Sequence, residues 1–183
     1  MTQLTGVDLD LLAPCYRATG EVLAAIPADR WDAPSPCTEW TVREVADHLV
    51  DALDYFATTV SGGLNADAVD RPADLLDAYR DVTRRCLAAF ARPGALAAEH
   101  PFPDGTQPGW VIANISLSES LVHGWDLATG AGLPYEPSPD AVAAVDAFQV
   151  GGPAPDMFAD PVPVPAGAPP FAALLGKLGR VTR

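Results

Sequence analysis

Residues Ile112 to Leu127 read I-A-N-I-S-L-S-E-S-L-V-H-G-W-D-L, a mostly apolar run carrying three ionisable side chains, Glu119, His123 and Asp126. On a helix turning about 100° per residue, positions i, i+4 and i+7 share a face, so His123 lies about 40° to one side of Glu119 and Asp126 about 20° to the other. Leu117, Leu121, Gly124 and Ala128 take the opposite side, and Ile112, Ile115 and Val122 flank the ionisable row. A helix that is apolar nearly all round is a buried helix. Ionisable groups stacked on one of its faces need partners, because burying an unpaired charge is costly.

Two kinds of partner would serve. Carboxylate and imidazole at i, i+4 are a workable pair of zinc or nickel ligands. A network of ion pairs and hydrogen bonds satisfies the same groups, and is the commoner outcome of so short a motif. A metal would need a third ligand, and the chain has 3 histidines.

His48 is the candidate. The sequence T-V-R-E at Thr41–Glu44 is a capping box that opens a helix, whose apolar stripe is Val42, Val45, Ala46, Leu49, Leu53, Phe56 and Val60. His48 falls about 100° from Leu49, at the edge of that stripe. It is a hydrogen-bonded boundary residue unless another helix brings a carboxylate and an imidazole opposite it. His100, next to Pro101 in an irregular segment, is expected to be exposed and not a ligand.

The 183 residues suit a single domain over 1–183 with a sizeable core. A net charge of −13, from 24 acidic and 11 basic residues, argues against nucleic acid or an anionic membrane as partner. No run of about 18 apolar residues is present, and the N-terminus lacks a basic-then-apolar leader pattern. Cys15, Cys37 and Cys86 are odd in number and far apart, so no disulfide framework is expected. A soluble, cytoplasmic monomer or homodimer follows as the expectation.

Along the chain, Asp8 to Ile26 reads as a first helix, with Pro14 either kinking it or marking its first turn. The connection from Asp29 to Trp40 is Pro-rich and holds Trp31 and Trp40, which pin it to the core or wall a pocket. Cys37 lies here with no base or basic cluster beside it in sequence, so it is a weak candidate nucleophile. Residues 65–71 read as a polar loop. Pro72 reads as the first turn of a third helix reaching about Arg92, whose arginines are expected to be solvated or paired.

Gly130 to Pro134 stops the fourth helix, Asp140 to Gln149 is a short fifth, and Phe171 to Leu178 a last short one. Between them the run P-V-P-V-P at 161–165 must be extended. The expected fold is all-α: a bundle of four principal helices with short helices added at the C-terminal end. Bundle cores are where facing helices converge ligands on a metal. One arrangement uses the scarce residues, with His48 from the second helix and Glu119 and His123 from the fourth.

P-C-T-E-W-T-V-R-E-V-A-D-H-L-V (Pro36 to Val50), Q-P-G-W (Gln107 to Trp110), E-S-L-V-H-G-W-D-L-A (Glu119 to Ala128) and the Pro-rich segment before the last helix together resemble the DinB-like superfamily. Within it, the chain resembles the mycothiol-dependent maleylpyruvate isomerase-like group of actinobacterial metal-binding proteins. The resemblance implies a DinB-like four-helix bundle binding zinc or nickel through His48, Glu119 and His123. Asp126, also a motif position, is implied to orient an imidazole, with direct ligation as the alternative. Trp40 and Trp110 are expected to wall a substrate pocket.

The implied function is a mycothiol-dependent S-transferase or isomerase acting on a small electrophile, with the metal and an external thiol as its cofactors. The isomerase itself carries a further C-terminal domain that this chain is expected to lack, so maleylpyruvate is not the expected substrate. The alternatives are a non-catalytic metal- or small-molecule-binding stress protein, or a metal-free bundle recruited to a specialised biosynthetic step.

Overall fold

The computed structural model describes residues 8–37, 39–63, 72–103, 105–149 and 159–181. After a short 3-10 turn at Leu9–Leu11, the principal helices are α1 (Leu12–Ala25), α2 (Val42–Val60), α3 (Leu75–Phe90) and α4 (Gly109–Ala131). Each packs on two neighbours, α1 on α3 and α4, and α2 on the same two, so the four close into a ring around one core. This is the all-α bundle the apolar stripes imply. Two short helices, α5 (Pro139–Phe148) and α6 (Pro170–Lys177), are added at its end, α5 packing on α4 and α6 on α5.

The start of α2 forms as its sequence requires. Thr41 accepts from the Glu44 backbone N–H, and the Glu44 carboxylate accepts from the Thr41 backbone N–H at 2.8 Å, so two otherwise orphaned donors are satisfied. Pro14 is the third residue of α1, in the first turn, where its missing N–H costs nothing. The third helix differs from expectation. It starts at Leu75, capped by the Asp74 carboxylate, which accepts from Asp77 N–H at 3.1 Å. A side-chain acceptor thus sets the boundary rather than Pro72, which lies before the helix. The arginines of α3 are paired: Arg80 with Asp77, Arg84 with Asp81, and Arg85 with both Asp81 and Asp54 of α2.

The expectation that His100 is exposed is overturned. Glu99–Phe102 (β1) and Gly105–Pro108 (β2) form an antiparallel hairpin, and His100 is buried beneath it with Nε2 2.8 Å from the Ala95 carbonyl. The hairpin leads straight into α4 at Gly109, three residues earlier than the apolar run suggests. Of the 23 residues of α4, 17 are buried, so it is the central helix of the bundle. It ends where Gly132 adopts a left-handed conformation at φ 76°.

The extended segment at 161–165 lies across α6, with Val162 N–H donating to the Gly176 carbonyl at 2.9 Å. It is the Pro-rich strap that the sequence requires. The expected polar loop at 65–71 and the stretch 151–158 fall outside the described residues. No described helix is long and apolar enough to cross a membrane.

Gly109 has no room for a side chain, because a Cβ there would sit 2.1 Å from the Ala95 carbonyl oxygen and 3.1 Å from His100 Nε2. Backbone cannot yield as a flexible side chain can. Gly109→Ala should therefore destabilise the fold by more than the roughly 1–3 kcal/mol usual for overpacking, read as a lower urea midpoint, whereas Gly94→Ser, at an open position, should not pass that range.

Candidate metal centre

α2 and α4 are packed neighbours, and their facing sides bring together the residues singled out by spacing. His48 Nε2 lies 3.3 Å from Glu119 Oε2, and His123 Nε2 lies 3.2 Å from the same oxygen. The three ligand atoms are all within 4.8 Å of one another. Bonds of about 2.05 Å at a tetrahedral angle put ligand atoms about 3.3 Å apart, so both measured edges match a tetrahedral zinc site. The two imidazoles meet edge to face, their centroids 5.1 Å apart.

Exposure is uneven across the trio. The side chain of His123 is 8% exposed and that of Glu119 11%, against 38% for His48. His123 and Glu119 therefore face the core, and His48 is the member of the trio that solvent reaches. Trp40 stands on that side with its ring centroid 4.7 Å from that of His48. Trp110 is not brought to the trio. It sits nine residues before Glu119 on α4, about 13 Å along the axis at 1.5 Å per residue.

Behind His123 the network continues. Its Nδ1 lies 3.0 Å from Asp126 Oδ2, and Asp126 is fully buried. Arg180, from the segment after α6, donates Nη2–H to the same oxygen at 2.9 Å, and its Nη1 donates to the Leu178 carbonyl at 2.9 Å. Arg180 itself is 5% exposed. Sequence reasoning missed it because no periodicity marks a single arginine in a tail.

Cys37 also comes closer than the sequence implies. Its sulfur is 3.8 Å from Arg180 Nη2 and forms a second cluster with His123 and Asp126. The loop that carries it is folded back on the start of α2, with Val42 N–H donating to Ala33 O and Ser35 N–H to Trp40 O. Burial and the nearby Asp126 charge push the Cys37 thiol up, so it rests as a neutral thiol.

These contacts fix charge. Burial alone would raise the Glu119 carboxyl, yet the hydrogen bonds and positive charge of His123 and His48 outweigh it and hold Glu119 well below the usual carboxylate range. Burial would likewise lower His123, but hydrogen bonds to Asp126 and Glu119 and their charges raise it to about 9. A neutral imidazole can donate from only one nitrogen. With a carboxylate oxygen against each nitrogen, His123 in the metal-free protein is an imidazolium.

The family follows from comparison with known proteins. The model of the mycothiol maleylpyruvate isomerase N-terminal domain matches residues 12–128, more than half the chain. This protein belongs to that family. The match includes α2 and the row on α4, so the DinB-like bundle and the trio lie within the family's own domain, while Arg180 lies beyond it. Uncharacterized proteins from two strains of Mycobacterium tuberculosis are each 31% identical to it over 173 residues, covering 91% of this chain and 93% of their own length. No solved structure matches the chain.

The elevated His123 gives the metal-free protein of this family a definite pH response. The folded state favours the imidazolium, so this contribution to stability is complete below the ordinary value of 6.5 and is lost as pH rises through about 9. Urea unfolding of metal-free protein should show stability falling across that window. His123→Gln should remove the slope, and ring NMR should find the wild-type histidine titrating near the upper limit.

Proposed function

We propose that the protein binds a divalent metal ion, zinc or nickel, through His48, Glu119 and His123, and uses the open coordination position for a low-molecular-weight thiol, mycothiol by family, in S-transfer to or isomerisation of a small electrophile. The observation carrying this reading is the convergence of two imidazole nitrogens on one carboxylate oxygen at tetrahedral spacing, beside a flank that solvent can reach. Two nitrogens and one oxygen suit zinc or nickel, and three protein ligands leave the position that catalytic sites keep open.

Bound there, the ion would lower the pKa of a coordinated thiol and so supply a thiolate at neutral pH. The chain's own residues do the rest. Asp126 accepts from His123 Nδ1–H, which fixes the tautomer and aims Nε2 at the centre. Trp40 covers His48 and offers an apolar wall to the thiol's carbon chain or to the electrophile. Glu119 contributes one negative charge to a divalent site, leaving a net positive centre that favours an anionic fourth ligand. His123 must give up a proton when it ligates, so metal uptake releases a proton and weakens as pH falls.

A second reading rests on the completeness of the ion-pair network. Glu119, His123, Asp126 and Arg180 alternate in sign and satisfy one another without a metal. On that reading the bundle is a small-molecule-binding protein, and the flank beside His48 and Trp40 is its ligand site.

Metal analysis of protein purified without a histidine tag separates the two. About one equivalent of zinc or nickel is expected in the wild type and none tightly held in His123→Ala, whose melting temperature should no longer rise on metal addition. Glu119→Gln should weaken binding less, keeping shape while removing charge. Unchanged metal content in His123→Ala would place the ligands elsewhere. Titrating loaded protein with mycothiol should add a metal–sulfur distance of about 2.3 Å to the X-ray absorption spectrum. If no sulfur enters and His48→Ala consumes electrophile as fast as wild type, the transferase reading fails.

A further inference from the structure

We propose that Arg180 is a positioning residue of this centre: acting through Asp126, it sets the tautomer and aim of His123, so that the C-terminal segment completes a site whose ligands all lie in the bundle. The inference rests on the metal reading above and deepens it. Its basis is a buried contact between residues 54 apart in sequence, for which the motif on α4 gives no hint.

Asp126 has no exposed surface, and a carboxylate taken fully out of water must be paired. Two of its partners are named by geometry: His123 Nδ1 at 3.0 Å and Arg180 Nη2 at 2.9 Å, both on Oδ2, with Arg180 Nε 3.4 Å from Oδ1. The guanidinium therefore lies along the carboxylate edge and fixes its plane. With that plane fixed, Oδ2 presents a lone pair to Nδ1–H, and the ring is held with Nε2 toward Glu119. Arginine suits this better than lysine, since its planar fork constrains orientation as well as charge.

The guanidinium is itself held from behind. The Leu178 carbonyl accepts from Nη1, and the Cys37 sulfur lies 3.8 Å from Nη2. Arg180 thus ties the loop that carries Cys37 and Trp40 to α4. It reaches this place because α6 ends in a tight turn: Arg180 N–H donates to Leu175 O, and Gly179 has φ 76° with the Ala159 carbonyl 2.7 Å from where a Cβ would stand. A side chain at 179 would clash with Ala159 and disturb the turn that places the arginine.

The test is a double-mutant cycle on the full chain, with zinc ion as the probe. Arg180→Met, which keeps length and loses charge, should weaken zinc binding about tenfold, the lower end of the range for residues that orient ligands. Its His123 ring should lose the single Nδ1–H signal in nitrogen-detected NMR. Arg180→Lys should recover part of the affinity. In an Asp126→Asn background the same Arg180→Met change should have no further effect, because its route of action is gone. The neutral double variant also avoids the stranded carboxylate that would threaten folding of the single one.

Unchanged or tighter zinc binding in Arg180→Met, or losses that add in the double variant, would overturn the proposal. So would a fall in melting temperature alone, with His123 unaltered, since that marks a mere fastening of the tail. If the wild type binds no zinc, the metal reading fails and the NMR arm still decides. The Nδ1–H signal of metal-free His123 should exchange slowly in the wild type and fast in Arg180→Met, and equal rates would overturn the role of Arg180.

Discussion

One oxygen organises the molecule. Glu119 Oε2 lies between two imidazoles, one from its own helix and one from α2. A carboxylate in that position is tolerable only while both histidines, or an ion in their midst, face it. That requirement fixes the rotation of α4, and with it the side that α4 turns to α1. On that side Tyr16 shares a hydrogen bond of 2.6 Å with Ser116, and Thr19 donates to the Ser120 carbonyl at 2.8 Å. Gly124 lets this contact close, since a Cβ there would lie 2.5 Å from Thr19 Oγ1 and 2.7 Å from the Tyr135 hydroxyl. The central helix is thus specified by polar contacts to both of the long helices it packs against.

From that oxygen the charges alternate outward: carboxylate, imidazolium, carboxylate, guanidinium. Alternation is what lets four ionisable groups share a dry region, because each is stabilised by its neighbours in a medium that screens weakly. A metal ion fits the same pattern. Exchanging the proton on His123 Nε2 for a dication adds one unit of charge to the network. A further anion, not another cation, then restores balance. The proposed thiolate would be such an anion.

The parts of this arrangement that were legible in the sequence are those carried by a period or a cap. The stripe of α2 and its capping box place His48, and the i, i+4, i+7 row on α4 places Glu119, His123 and Asp126, because helical phase is local. What was not legible depends on contacts between distant segments. Asp74 rather than Pro72 starts α3, since a capping carboxylate competes well with a proline's fixed angle. His100 looked like a loop residue, yet the hairpin closes over it and gives its ring the Ala95 carbonyl. Arg180 and Cys37 meet only because the tail and the loop before α2 fold to the same place, a coincidence no spacing encodes.

The asymmetry of exposure sets how anything reaches the centre. His123 is anchored by Asp126 and sealed, while His48, at 38% exposed, has Trp40 as its neighbour on the open side. His48 and Trp40 are therefore the side chains through which solvent would meet the carboxylate first, if anything binds there as proposed. The protein's net charge of −13 also acts on it, repelling anions over roughly the 8–10 Å that physiological salt leaves unscreened. A thiol approaches as a neutral molecule and feels little of this field. If it ionises only at the centre, where a bound dication would make the local balance positive, its charge forms at a place prepared to hold it. A preformed dianion would have to cross the repulsive surface first. With a divalent ion bound as proposed, the surface charge and the loaded centre would favour the same kind of substrate: one that arrives uncharged and becomes an anion on binding.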